Sequence, residues 1–145
     1  MEIYIPDYYV NIVKERLALY QELSQLKTKE ELIAFEEELK DRFGALPKEA
    51  QELLESVELK WIATTLGIER IILKKGNCLC YFIADQQSNF YQSERFGSII
   101  GHIQKNADQM VLKEKNTSNG PKLMLSIKDI EEVKKLKETL KSLLQ

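Results

Sequence analysis

Ile68-Glu69-Arg70-Ile71-Ile72-Leu73-Lys74-Lys75-Gly76-Asn77-Cys78-Leu79-Cys80-Tyr81-Phe82-Ile83-Ala84 reads as two β-rich runs around a Lys75-Gly76 turn. β-Branched and aromatic side chains suit a pleated surface, and a two-residue turn with glycine closes a hairpin. The residues before this stretch follow a helical period instead. Pro47 opens a helix that Gly67 ends, with Ala50, Leu53, Leu54, Val57 and Trp61 as its apolar stripe. Ahead of it, Thr28-Lys29-Glu30-Glu31 is a capping box, in which hydroxyl and carboxylate each take one orphan backbone N–H. The helix it starts runs to Phe43 on a stripe of Leu32, Phe35, Leu39 and Phe43, and Gly44 supplies a left-handed stop. A first helix is expected from an Asp7 cap to about Leu26, with Val10, Val13, Leu17, Tyr20 and Leu23 facing inward. Before it, Glu2 to Ile5 alternates as a short strand that Pro6 ends.

Beyond the hairpin, Phe96, Ile99, Ile100 and Ile103 predict a helix from about Ser93 to Asn106. Gln109–Lys115 and Lys122–Ile127 read as a second hairpin, with residues 116–121 as its turn. A last helix is expected from near Lys128, its stripe formed by Ile130, Val133, Leu136, Leu140 and Leu143. The expected fold class is α+β: N-terminal helical hairpins packed with a small antiparallel sheet and a C-terminal helix, in a single domain over residues 1–145.

Composition narrows the function classes. With 43% hydrophobic and 30% charged residues, the chain has the balance of a soluble globular protein. Its longest apolar run, Cys78 to Ala84, falls far short of the ~20 residues a spanning helix needs. No basic-then-apolar leader opens it, and two cysteines two residues apart make no disulfide framework. The expected location is the cytoplasm, with no membrane partner. A net charge of −2 conceals an asymmetry: residues 1–58 hold 7 basic and 14 acidic side chains, and residues 59–145 hold 14 basic and 9 acidic. The two parts attract one another or face different partners.

Candidate chemistry is sparse. His102 is the single histidine, with no nucleophile motif beside it, and reads as an ordinary helix residue. Cys78 and Cys80 point to one face of a strand; they are half of a zinc site at most, and read more simply as small buried hydrophobes. No glycine-rich loop cradles phosphate, so neither a nucleotide cofactor nor a metal is expected, and the chain reads as non-enzymatic. Gly97 and Gly101 form a G-x-x-x-G that suggests close packing of a helix on the sheet. Lys134, Lys137 and Lys141 share a helix face that could touch phosphates, and the basic second part of the chain keeps a nucleic-acid-binding α+β module open as the alternative function.

The second helix carries the most informative surface. At about 100° per residue, Glu30, Ala34, Glu37 and Asp41 fall opposite the core stripe, and Glu38 sits one turn before Asp41. Carboxylates in the last turns of a helix oppose its dipole and repel one another, and Arg42 offsets part of that. Either this is a solvated face, or the local cost serves recognition of a basic partner.

The string Glu38-Leu39-Lys40-Asp41-Arg42-Phe43-Gly44-Ala45-Leu46-Pro47 resembles the E-L-x-D-R-F-G-x-L-P of the C-terminal domain of bacterial transcription-repair coupling factor. Ile5-Pro6-Asp7-Tyr8-Tyr9-Val10, Arg16-Leu17-Ala18-Leu19-Tyr20 and the Ala63–Ile71 segment are similar to its I-P-x-x-Y-V, R-L-x-L-Y and A-x-x-L-G-I-x-x-I signatures. The likeness is carried by Ile5 to about Leu73; beyond Gly76 it rests on pattern alone. It implies a parent that is an ATP-driven DNA translocase acting on stalled RNA polymerase and recruiting UvrA. Helicase motifs are missing here, so Met1 reads as an initiator on a cut-out domain. The resemblance further implies a regulator that docks on the parent's own UvrB-homology module, masks the UvrA-binding surface and restrains the motor. Family contacts to that module map onto Glu38 and Asp41. Arg42 matches as well, with salt bridging inside the domain as its other role.

Overall fold

The computed structural model of the chain describes residues 4–83, 88–118 and 120–144. Two compact units divide between Glu58 and Leu59, the same point at which the charge changes sign.

The first unit contains α1 (Val13–Ser24), α2 (Lys29–Phe43) and the opening turns of α3 (Lys48–Thr65). Its entry is a turn in which the Pro6 carbonyl accepts the N–H groups of Tyr9 and Val10, both at 3.1 Å. That turn, and extended Ile12 after it, move the start of α1 from the expected Asp7 to Val13. The expected opening strand is not found at Tyr4 and Ile5, where the Ile5 N–H donates to Tyr20 Oη at 2.6 Å instead of to a neighbouring strand. Glu2 and Ile3 lie outside the described residues. The inward face of α1 is partly rotated from expectation: Leu23 is buried as expected, but Leu19 joins it in place of Val13 and Leu17, which are exposed.

Helix α2 starts at the anticipated box. Thr28 accepts the Glu31 N–H at 3.1 Å, and Glu31 reaches back to the Thr28 N–H at 3.1 Å. Leu32, Phe35 and Leu39 are buried, as are Leu46, Ala50 and Leu54 after them, and Phe43 is half-buried. Gly44 stops the helix, though not in the left-handed helical well. Its φ of 91° and ψ of −168° lie in a region essentially reserved for glycine.

The second unit is built on a four-stranded antiparallel sheet, β1 (Ile68–Lys74), β2 (Asn77–Phe82), β3 (Met110–Thr117) and β4 (Gly120–Ile127), in the order β1-β2-β4-β3. The first hairpin turns at Lys75 and Gly76, both at positive φ, as the sequence leads one to expect. Ile71, Cys80, Leu125 and Leu112 form one row across the sheet, and Leu73, Cys78, Ile127 and Met110 the next. Three helices contribute the rest of this core. They are α4 (Glu94–Lys105) through Ile99 and Ile103, α5 (Val133–Ser142) through Val133, Leu136 and Leu140, and the end of α3 through Ile62, Ala63 and Leu66.

Two boundaries differ from expectation in this unit. The second hairpin pairs up to Thr117 opposite Gly120, so its turn is tighter than residues 116–121; Asn119 lies outside the described residues, as does Ala84 of the first hairpin. The last helix begins at Val133 because Asp129, at a φ of 61°, interrupts helical geometry. Ile130 therefore enters the core from an irregular segment, its N–H donating to the Gly76 carbonyl at 2.8 Å. Helix α4 matches its expected limits, with Ser93 Oγ accepting the Phe96 N–H at 3.2 Å as its cap. A methyl group added at Gly97 or Gly101 would meet open space, so the G-x-x-x-G does not mark a close approach. Among the described residues, no helix is long and apolar enough to cross a membrane.

Candidate functional site

The C-terminal end of α2 is held from below by the entry turn. The Tyr9 hydroxyl donates to the Gly44 carbonyl at 2.7 Å and lies 3.2 Å from the Leu39 carbonyl. Carbonyls at a helix end lack intrahelical donors and need such partners. Burial raises the Tyr9 hydroxyl above its ordinary pKa. The Tyr9 ring meets Phe43 at 5.7 Å between centroids. The Arg42 guanidinium also lies over the Phe43 ring, 4.8 Å from its centroid.

On this fixed end, Glu38, Asp41 and Arg42 are all exposed. Arg42 Nη1 lies 3.6 Å from Glu38 Oε1, an i,i+4 pair with both side chains about half exposed. Such pairs contribute only about 0.3–0.5 kcal/mol. Arg42 therefore has the intramolecular role that its spacing allows, packed on Phe43 and paired with Glu38. Asp41 projects from the side opposite the buried stripe, together with exposed Glu30, Ala34 and Glu37.

The signature residues of the entry segment serve the fold. Ile5 and Val10 are buried, the Pro6 carbonyl accepts two N–H groups, and Tyr9 closes α2. Arg16 Nη1 donates to the Val10 carbonyl at 2.6 Å. In the sequence Tyr9 is visible only as part of a motif; its hydroxyl's role needs the tertiary turn to become apparent.

Other candidates sit elsewhere. Cys78 and Cys80 are fully buried, with sulfurs 3.6 Å apart. Their mutual hydrogen bond and burial push the Cys80 thiol upward, away from the thiolate that metal binding or nucleophilic attack requires. Among the described residues, no three His, Cys, Asp or Glu side chains converge to hold a metal. His102 Nε2 lies 3.3 Å from Ser142 Oγ, between α4 and α5. Lys134 and Lys141 are exposed, but Lys137 is only 8% exposed, so the three do not form one open basic row.

A family model described as the TRCF domain matches residues 1–93. The chain belongs to the TRCF domain family. Transcription-repair-coupling factor of Escherichia coli K12 is 32% identical over 130 residues, 90% of this chain and 10% of that protein. The Borreliella burgdorferi protein of the same name is 27% identical over 140 residues, 97% of this chain and 12% of its own. The Rickettsia typhi protein is 37% identical over 71 residues, 49% of this chain and 6% of its own. This TRCF domain thus spans about a tenth of the length of the curated relatives it matches. A solved structure described as the C-terminal domain of transcription-repair coupling factor superposes with a TM-score of 0.65 at 21% identity, covering 99% of this chain and 83% of that one. That likeness extends the shared fold beyond residue 93, across the sheet and α5.

Proposed function

We propose that this TRCF domain is a non-catalytic regulator within a transcription-repair coupling factor, acting as an autoinhibitory clasp. Its partner is the UvrB-homology module of the same polypeptide. Docking there masks the surface that UvrA binds and restrains an ATP-driven motor that works on DNA and stalled RNA polymerase, in the cytoplasm. The observation that carries this reading is the exposed acidic pair, Glu38 and Asp41, at a helix end pinned by Tyr9. Carboxylates at a helix C-terminus are locally unfavourable, and a fixed helix end presents them with little ordering cost. Tethering supplies a high effective concentration, so a weak electrostatic contact keeps the clasp closed yet lets a competing partner open it. Burial of Lys137 removes one lysine from the last helix's row, one part of the basic second half on which the nucleic-acid-binding alternative rests.

The test is binding of the 145-residue chain to its parent's UvrB-homology module, measured against salt. Affinity should fall steeply as salt rises and should be lost in Glu38→Arg with Asp41→Arg. Binding that ignores both salt and this double substitution refutes the reading.

A further inference from the structure

The sheet of the second unit packs its helices on one face. Ile71, Cys80, Leu125 and Leu112 belong to that face, sharing a core with α4, α5 and the end of α3. Side chains alternate along a strand, so Arg70, Tyr81, Met124 and Lys113 form a row on the other face. Beyond that row Lys115 stands directly opposite Lys122. Tyr81 and Met124 are buried, Arg70, Lys113 and Lys115 are exposed, and Lys122 is half-buried. The Arg70 guanidinium lies over the Tyr81 ring, 5.9 Å from its centroid, and Lys115 Nζ lies 3.5 Å from Tyr81 Oη. Four cations thus share one end of this face. Like charges directly across a strand pair are destabilising, where opposite charges would stabilise. Among the described residues none of the four forms an ion pair. The four strands hold two acidic residues: Glu114, on the packed face with Leu112, and Glu69, at the bulge between Ile68 and Arg70.

We propose that Arg70, Lys113, Lys115 and Lys122 form a binding surface for the phosphate backbone of duplex nucleic acid. The charge that selects this occupant lies on the surface itself. Lys113 and Lys115 stand about 6.8 Å apart along β3, so their ammonium groups reach successive charges of a polyanion and do not converge on one small anion. A single strand is held by stacking its bases on open aromatic rings. Here the one ring, that of Tyr81, is 7% exposed and lies under Arg70, which leaves the backbone as the part that is recognised. A face that lies on a membrane carries protruding Trp, Phe or Leu anchors. On this face Ile72 and Leu79 are half-buried and Val111 is 36% exposed, so nothing large and apolar stands out among the described residues. Contacts to phosphate alone carry no sequence information, and binding is therefore independent of sequence. The surface uses none of the α2 residues of the clasp and stands on separate observations.

The experiment follows the fluorescence anisotropy of a labelled DNA duplex as the 145-residue chain is added, at salt concentrations from about 50 to 200 mM. Four phosphate contacts should give a slope of log K against log salt near about −3.6, an affinity loss of about 150-fold over that range. Lys113→Ala with Lys122→Ala should halve the slope, so that the loss falls to about 12-fold. Relief of the Lys115–Lys122 repulsion should leave the melting temperature of this variant unchanged or slightly raised. Should it melt lower, Lys113→Gln alone carries the test, with the slope smaller by about one. Lys134→Ala with Lys135→Ala, on exposed positions of α5, should leave the slope unchanged. Absence of binding at about 50 mM salt, an unchanged slope in the folded sheet variant, or an equal drop in the α5 variant overturns the proposal. So does binding of the corresponding single strand, of polyglutamate or of phosphatidylserine vesicles as tight as that of the duplex, since the occupant is then of another class.

Discussion

Reversing the acidic pair, Glu38→Arg with Asp41→Arg, separates stability from docking. On stability the changes nearly cancel. The exposed Glu38–Arg42 pair, at 3.6 Å, contributes about 0.3–0.5 kcal/mol, and reversal replaces it with a like-charge pair of similar unfavourable size. Against that, exchanging anions for cations in the last turns of α2 relieves the helix dipole by about 0.3–1 kcal/mol per site. The net change is within about 1 kcal/mol, a melting shift of a few degrees at most. At the proposed interface nothing cancels, because like charges facing one another cost several kcal/mol. At a tethered effective concentration of about 1 mM, a contact with a Kd of about 10 μM is closed in about 99% of molecules. A loss of about 3 kcal/mol weakens that Kd about 150-fold and leaves the majority open. UvrA binding and DNA-dependent ATPase of the full-length parent should both rise. The control is Glu30→Arg with Glu37→Arg, equal in charge change on the same exposed side of α2. Equal release by both double variants would mean that net charge, not a site, controls the motor. Unchanged UvrA binding in a folded Glu38→Arg, Asp41→Arg protein would refute the docking role.

Tyr9→Phe keeps the ring against Phe43 but removes the 2.7 Å bond to Gly44, and should lower stability by about 0.5–1.5 kcal/mol in urea unfolding. Gly44→Ala places its methyl in open space and suffers only backbone strain of about 1–3 kcal/mol, whereas Gly67→Ala adds overlap with the Phe90 ring and should be the more destabilising of the two. Cys78→Ala should cost about 1 kcal/mol through a small core cavity, with docking unaffected. The purified chain should release no phosphate from nucleotides above background, since its sequence has no Walker-type lysine or phosphate-cradling loop; release abolished by a substitution within the chain would overturn this.

Much of the architecture was legible because its signals are local. The Thr28–Glu31 box and the Lys75-Gly76 turn each act within a few residues, and each marks an element end in the structure. The two-residue spacing of Cys78 and Cys80 likewise put both on one strand face, and both are buried. The exposed acidic pair was legible for the same reason, since the buried stripe of α2 leaves Glu38 and Asp41 outside it. Where structure departs from expectation, the deciding interaction is long-range. Ile130 continues a helical spacing, yet Asp129 breaks the helix and the N–H of Ile130 finds its acceptor at Gly76, across the unit.

Helix α1 shows why periodicity alone is insufficient. Val13 and Leu17 repeat at four residues, and so does Leu19 with Leu23, the one helix residue of the expected stripe that is fully buried. Both sets satisfy a helical period, and no rule of spacing says which one is buried. The rotation is fixed elsewhere, by the Pro6 turn, by Arg16 on the Val10 carbonyl and by Tyr20 on the Ile5 N–H. Those bonds turn Leu19 and Leu23 inward and leave Val13 and Leu17 facing out.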